Sequence, residues 1–293
     1  MSQSLRTLDA RFEDFDGHRS VVVRWRPAQP PHAQAVFFPA FGDEMNQTRR
    51  MVKLAAEALA ARGIECVVFD PHGTGDSSAG FEDTTVARWL ADCRAIVARV
   101  QADSAEQGGP SGGGGPSARL PLLLIGCRLG VALAVETSRE LPEPAAVLIG
   151  WAPLLQGKQQ LSGMLRADKV SRMQKSAVAP EPKALWAAGE CAWLGGYPVS
   201  AVLAEQLEAL DATAVPKTER TTLIDVRVPV GDEPMTPTEP LRKRGESWAS
   251  QGVPTEVQAV PGAGFWNVAD LVDVPELVEA TVTAAERALE AAK

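Results

Sequence analysis

The chain has 293 residues, 45% of them hydrophobic and 23% charged, with a formal net charge of -8. That length supports one large core or two modest ones, and the balance excludes a disordered, collagen-like or disulfide-scaffold chain. The acidic excess argues against a general nucleic-acid binder, which would normally be basic.

Four cysteines, Cys66, Cys93, Cys127 and Cys191, lie far apart with no C-x-x-C pair. Reduced thiols in a reducing compartment are the default reading. The opening MSQSLRTLDARFEDF has no apolar h-region, so no secretory signal is expected. The longest apolar run, near 120–135, is interrupted by Arg128 and falls short of a membrane span. A cytoplasmic protein is expected.

In chain order, residues 11–15 and 20–26 flank Asp16-Gly17 and predict a hairpin. After a Pro-rich link, 35–38 reads as a buried strand. Helical spacing follows over 47–62, with Met51, Leu54, Ala55 and Leu59 on one face and Gly63 as the stop. A second buried strand, 64–69, runs into the turn-rich loop DPHGTGDS. Residues 84–100 form an amphipathic helix. A third strand, 120–125, passes through GCRLG into a helix over 129–140, and a fourth strand covers 145–150. The pattern resumes with a strand at 223–230, a helix at 237–250, a strand at 255–260 and a final helix at 275–292.

Near-continuous apolar strands alternating with helices imply a mostly parallel sheet covered on both faces. Two stretches break the rhythm. Residues 105–118 hold QGGPSGGGGPSA and read as a surface loop. Residues 154–214 form a helical, strand-poor insert, read as a lid over the C-terminal edge of the sheet, where ligands bind in such folds. The core is then 1–153 together with 215–293.

G-x-S-x-G between a buried strand and a helix is the nucleophile elbow of α/β-hydrolases. Here that context holds Gly126-Cys127-Arg128-Leu129-Gly130, so the glycines are present and Arg128 fills the nucleophile slot. The segment Phe38 to Gly42 follows the first central strand, where an oxyanion loop is expected, with the N–H groups of Phe41 and Leu129 as donors. Phe265 stands where the base would come. The three histidines, His18, His32 and His72, all precede the elbow. Asp232 is the surviving acid candidate. A Ser-His-Asp triad needs a nucleophile, a base within reach and an acid to orient it; two of these are missing from their expected places.

FFPAFGDEMNQTRR, DPHGTGDSSAGFED, the GCRLG elbow, WAPLLQGKQQLSGMLR, GGYPVSAVLAEQLEALD and PGAGFWN together resemble the exosortase A system-associated hydrolase 2 group. The resemblance runs from about Val36 to the end, apart from the Gly-rich loop. It implies an α/β-hydrolase fold, a nominal ester or acyl hydrolase, and a setting of exopolysaccharide and protein-sorting loci in Gram-negative bacteria, with locus proteins as partners. It also implies that an Arg in the elbow is usual.

Each candidate carries two readings. Arg128 either clamps an anionic ligand or pairs with Asp232, Glu233, Asp43 or Glu44 and plugs the site. Cys127 is either a lowered-pKa nucleophile or an inert core thiol. His72 is either an unconventional base, with Asp76 or Ser77, or a loop cap. Asp43, Glu44 and Asn46 form a polar cluster on the oxyanion-side loop that with Asp76 could bind a divalent ion, though no spacing here is diagnostic; neither metal nor cofactor is assigned. Gly42, Phe265 and Trp266 either line the pocket or pack the core. In the lid, Lys158, Arg166, Lys169, Arg172 and Lys175 face one acid, Asp168, with apolar residues between. That is either a basic gate for a small acyl or anionic ligand, a weak contact with an anionic membrane surface, or a solvated helix face.

Overall fold

The computed structural model describes residues 7–107, 119–175, 180–229, 231, 235–268 and 271–291. Asp232 and most of the Gly-rich stretch lie outside the described residues.

The chain opens with a hairpin, β1 (Thr7–Phe15) and β2 (His18–Arg26), closed at Phe15 opposite His18. Gly17 takes φ 79°, the left-handed geometry such a tight turn needs. β3 (Ala33–Phe38), α1 (Asp43–Ala60), β4 (Ile64–Phe69) and α2 (Val86–Gln107) follow. Next come β5 (Leu122–Cys127), α3 (Gly130–Arg139) and β6 (Val147–Trp151). The C-terminal part adds β9 (Thr221–Arg227), α7 (Glu239–Ser250), β10 (Thr255–Pro261) and α8 (Pro275–Ala291). Because α2 extends to Gln107, the first three residues of the expected loop 105–118 are helical.

Eight strands form one sheet in the order β1-β2-β4-β3-β5-β6-β9-β10. From β4 to β10 all neighbours pair in parallel; β2 joins β4 antiparallel. β3, β5 and β6 are buried at every position, as a sheet covered on both faces requires. Met51 and Leu59 of α1 and Leu277 and Ala285 of α8 pack one face. Trp89 and Ile96 of α2, Val131 of α3 and Trp248 of α7 pack the other.

The insert between β6 and β9 contains α4 (Gly157–Lys175), α5 (Pro182–Ala187), β7 (Ala192–Leu194), β8 (Tyr197–Val199) and α6 (Ala201–Ala209). It is not wholly helical: β7 and β8 form a hairpin turned by Gly195 and Gly196 at φ 60° and 85°. Its Leu161, Leu194, Leu203 and Leu207 join the same core as α2 and α3. No helix among the described residues is long and apolar enough to cross a membrane.

Candidate functional site

The turn from β5 into α3 is a tight elbow. Arg128 takes φ 54°, a left-handed conformation that costs a residue with a Cβ about 1–2 kcal/mol. Both flanking glycines are sterically required. A Cβ on Gly126 would lie 2.6 Å from Val131 Cα, and one on Gly130 would lie 2.1 Å from the Phe38 carbonyl oxygen. The Arg128 N–H donates to the Trp151 carbonyl at 2.9 Å, and the Arg128 carbonyl accepts from Leu154 N at 3.1 Å. The elbow is thereby tied to β6 and to the start of the insert.

All three guanidinium nitrogens of Arg128 are engaged. Nε lies 3.3 Å from both Glu44 carboxylate oxygens, Nη2 donates to Glu44 Oε1 at 3.1 Å, and Nη1 donates to the Ala152 carbonyl at 3.2 Å. The Arg128 Cζ sits 4.7 Å from the Trp266 ring centroid, a cation–π contact. Each side chain of the Arg128–Glu44 pair keeps 18% exposure, so the pair is withdrawn but not sealed. Burial pushes the Glu44 carboxyl above its ordinary range, and the attraction of Arg128 opposes that shift. Glu44 belongs to the first turn of α1, where a negative charge meets the positive end of the helix dipole. Of the two described acids considered for Arg128, Asp43 and Glu44, it meets Glu44; an anionic ligand would have to displace it.

Cys127 is buried in the core, and desolvation pushes its thiol up despite the cation beside it. That is the reverse of an activated thiolate. His72 is buried away from the elbow's ion pair. Its Nε2 lies 2.7 Å from Arg88 Nη1 and its Nδ1 3.3 Å from Thr84 Oγ1. Burial first, and the Arg88 charge next, push the imidazole below its usual pKa. Both ring nitrogens are thus occupied, and the side chain holds the loop after β4. Asp76 meets Asp70 through its backbone N–H at 2.9 Å, and Asp70 pairs with Arg49 at 3.0 Å. Asp43 accepts from Tyr197 Oη at 3.2 Å. Among the described residues no group of three or more His, Cys, Asp or Glu is arranged to hold a metal ion.

Phe41 and Leu129 are the residues whose N–H groups the sequence offers as oxyanion donors. Phe41 and Leu129 are buried. Among the described residues no acceptor faces the backbone N–H of either. Buried donors without partners are rare in native proteins. Gly42 follows at φ 62°, and a Cβ there would meet the Tyr197 ring at 3.4 Å. Past β10, Phe265 and Trp266 divide the two readings given for them, core packing for Phe265 and the cavity wall for Trp266. Phe265 is a core side chain against Trp151, with ring centroids 6.5 Å apart, and lines neither cavity. Trp266 is the residue that reaches the elbow.

Two cavities share Arg128, Trp266 and Gln159 as walls. The larger, about 590 Å³, lies between the elbow and the insert, bounded by Phe41, Leu154, Met164, Leu194 and Tyr197. The smaller, about 340 Å³, is more polar, with Asp225, Thr238 and Arg244 among its walls. Asp225 accepts from Thr238 N at 2.8 Å, and Arg244 donates to the Thr213 carbonyl at 2.7 Å. Neither residue was singled out by the sequence, because half-buried polar positions in a strand and a helix carry no motif. Tyr197 carries no motif either, although it is the one tyrosine of the chain and follows a Gly-Gly turn.

Sheet order, elbow and covered cavity define a protein of the α/β-hydrolase fold. Known proteins agree with that class. The Est1E protein of Butyrivibrio proteoclasticus with ferulic acid bound superposes at a TM-score of 0.62, with 15% identity over 96% of this chain and 100% of that one. A soluble variant of monoglyceride lipase from Saccharomyces cerevisiae with a substrate analogue gives 0.62, with 13% identity over 98% of this chain and 96% of that one. In sequence, palmitoyl-protein thioesterase ABHD10 of Bos taurus, a mitochondrial protein, is 24% identical over 147 residues. That match spans 50% of this chain and 42% of the thioesterase. No family model matches the chain.

Proposed function

We propose that this protein binds a small acyl or anionic ligand between elbow and lid, and that it does not hydrolyse esters through a seryl intermediate. The observation that carries this reading is Arg128 itself, which projects from the nucleophile position with its guanidinium engaged by Glu44, Ala152 and Trp266. Trp266 approaches from the loop after β10, where a base would be required, and an indole cannot accept a proton. Loss of both nucleophile and base removes on the order of 10⁶ in rate from a triad enzyme. The unpartnered N–H groups of Phe41 and Leu129 support retained recognition of a carbonyl or carboxylate oxygen. The apolar walls of the larger cavity suit an acyl arm. The named activity of the thioesterase relative is consistent with an acyl ligand. The motif likeness to the exosortase-associated group suggests an exopolysaccharide or protein-sorting setting in the cytoplasm, with locus products as partners.

The test pairs short-chain nitrophenyl esters and a fluorophosphonate probe with melting shifts on acyl, phosphosugar and carboxylate compounds. Expected are no seryl adduct, no turnover above a heat-killed control, and a saturable stabilisation by one class. A fluorophosphonate adduct with brisk turnover overturns the reading.

A second reading concerns the outside of the lid. Lys169, Val170 and Met173 stand at i, i+1 and i+4 of α4, with Val170 and Met173 54% and 74% exposed, while Arg166 one turn earlier walls the larger cavity. A basic, apolar stripe suits weak attachment to an anionic bilayer. Co-sedimentation with phosphatidylserine vesicles should fall steeply with salt, and salt-independent binding argues against it.

A further inference from the structure

We infer that two copies of this chain join through the outer edge of β1, aligned antiparallel about Ala10 so that their sheets run into one. Among the described residues β1 ends the sheet, with one edge paired to β2 and the other to no strand. Nine residues of strand with one unpaired edge is a template for another strand. Leu8 and Phe12 on this strand are 61% and 55% exposed. They lie opposite Trp25 and Val21, both half-buried, so the apolar face continues across the hairpin.

The hydrogen-bonding direction follows from the turn. In a hairpin closed by two residues, the closing pair is the bonded one, and bonded pairs alternate with unbonded ones. Counting back from Phe15, the odd residues bond to β2, and Leu8, Ala10 and Phe12 turn their N–H and C=O groups outward.

Side chains then select the register. Centred on Ala10, Leu8 meets Phe12 of the second copy and Asp9 meets Arg11, each twice by symmetry. Centring on Arg11 sets Arg11 against itself and Asp9 against Glu13. Centring on Asp9 sets that acid against itself. Centring on Phe12 does face Arg11 with Glu13, but it sets Ala10 against Asp14. Of these registers, the Ala10 one alone leaves no apolar–charged and no like-charged pair between Leu8 and Phe12. Asp9 and Arg11 already pair within one chain at 2.7 Å, so both are held extended on the same face. The surface lies on the hairpin, outside the elbow, so this inference stands apart from the ligand reading.

The test is mass by light scattering and sedimentation of the full chain over a concentration series, beside an Ala10→Pro variant. Proline removes the outward N–H at the centre of the join while leaving the bonds to β2. Expected is a species of twice the 31.1 kDa chain mass, weakened at least tenfold by Ala10→Pro with an unchanged circular dichroism spectrum. A second variant, Ala10→Cys in a Cys191→Ser background, should form an intermolecular disulfide on mild oxidation, because the bonded pair sets its Cα atoms about 5.5 Å apart. A matching Asp14→Cys control should not. A monomer at all concentrations with no excess cross-linking overturns the inference, as does a dimer untouched by Ala10→Pro.

Discussion

Arg128→Ala is the sharpest probe of the elbow. Removing one partner of a fully buried ion pair costs about 3–5 kcal/mol, because the other charge is left without compensation. Here each partner retains 18% exposure, and water softens the loss to about 2 kcal/mol. The lost cation–π contact with Trp266 adds about 0.5–1 kcal/mol. The sum should lower Tm by about 5–10 °C in a chain of this size. Arg128→Gly loses the same contacts but sheds the left-handed penalty, so it should lie about 1 kcal/mol above the alanine variant.

The pH dependence has a definite sign. Burial already raises the Glu44 carboxyl, and Arg128 opposes that rise; without the arginine the carboxyl moves higher. A raised acid binds its proton in the native state after the unfolded chain has released it. The resulting loss of stability is therefore absent in acid, develops as pH climbs from the ordinary carboxyl range through the raised value, and is complete above it. Urea denaturation of Arg128→Ala at pH about 4 and about 8 should show the larger deficit at the higher pH. Adding Glu44→Gln should flatten that difference. A deficit below about 0.5 kcal/mol, equal at both pH values and untouched by Glu44→Gln, would refute the buried-pair reasoning.

Three further outcomes can be checked with ordinary stability and labelling assays. Gly130→Ala must part α3 from the loop after β3, since its Cβ would lie 2.1 Å from one backbone carbonyl oxygen and 2.5 Å from the next; a loss of about 3 kcal/mol is expected in denaturant titration. Gly163→Ala lies in α4 with nothing within 4 Å of the added methyl, so helix propensity should stabilise by about 0.5–1 kcal/mol, read as a rise in Tm. Native alkylation followed by mass spectrometry should modify the half-buried Cys191 first and spare Cys66, Cys93 and Cys127, whose thiols burial pushes up.

The sheet was legible wherever a strand was buried on both faces. IECVVF is bounded by Gly63 and by Asp70-Pro71, and β4 occupies those six residues. The start of α1 was not. It begins at Asp43 rather than near Gln47, because Gly42 at φ 62° turns the chain and Asp43 and Glu44 suit the first turn, yet this turn presents a single apolar residue. The β7–β8 hairpin was overlooked since strands of three residues carry no periodicity, although Gly195-Gly196 announced the turn. Arg128 could be read from the spacing of its two glycines. Its partner could not: the sequence offers four acids, and Glu44 meets the guanidinium because α1 is placed against the elbow. That Trp266 walls the cavities while Phe265 packs the core has the same origin, since side-chain direction after a strand ends depends on backbone turns that alternation does not encode.

The Arg128 side chain, the Trp266 indole and Gln159 form the wall common to two chambers of about 590 and 340 Å³. Glu44 walls only the larger chamber, and Arg244 only the smaller. An anionic group in the larger chamber therefore competes with Glu44 for the guanidinium, whereas one in the smaller chamber meets Arg244 as well.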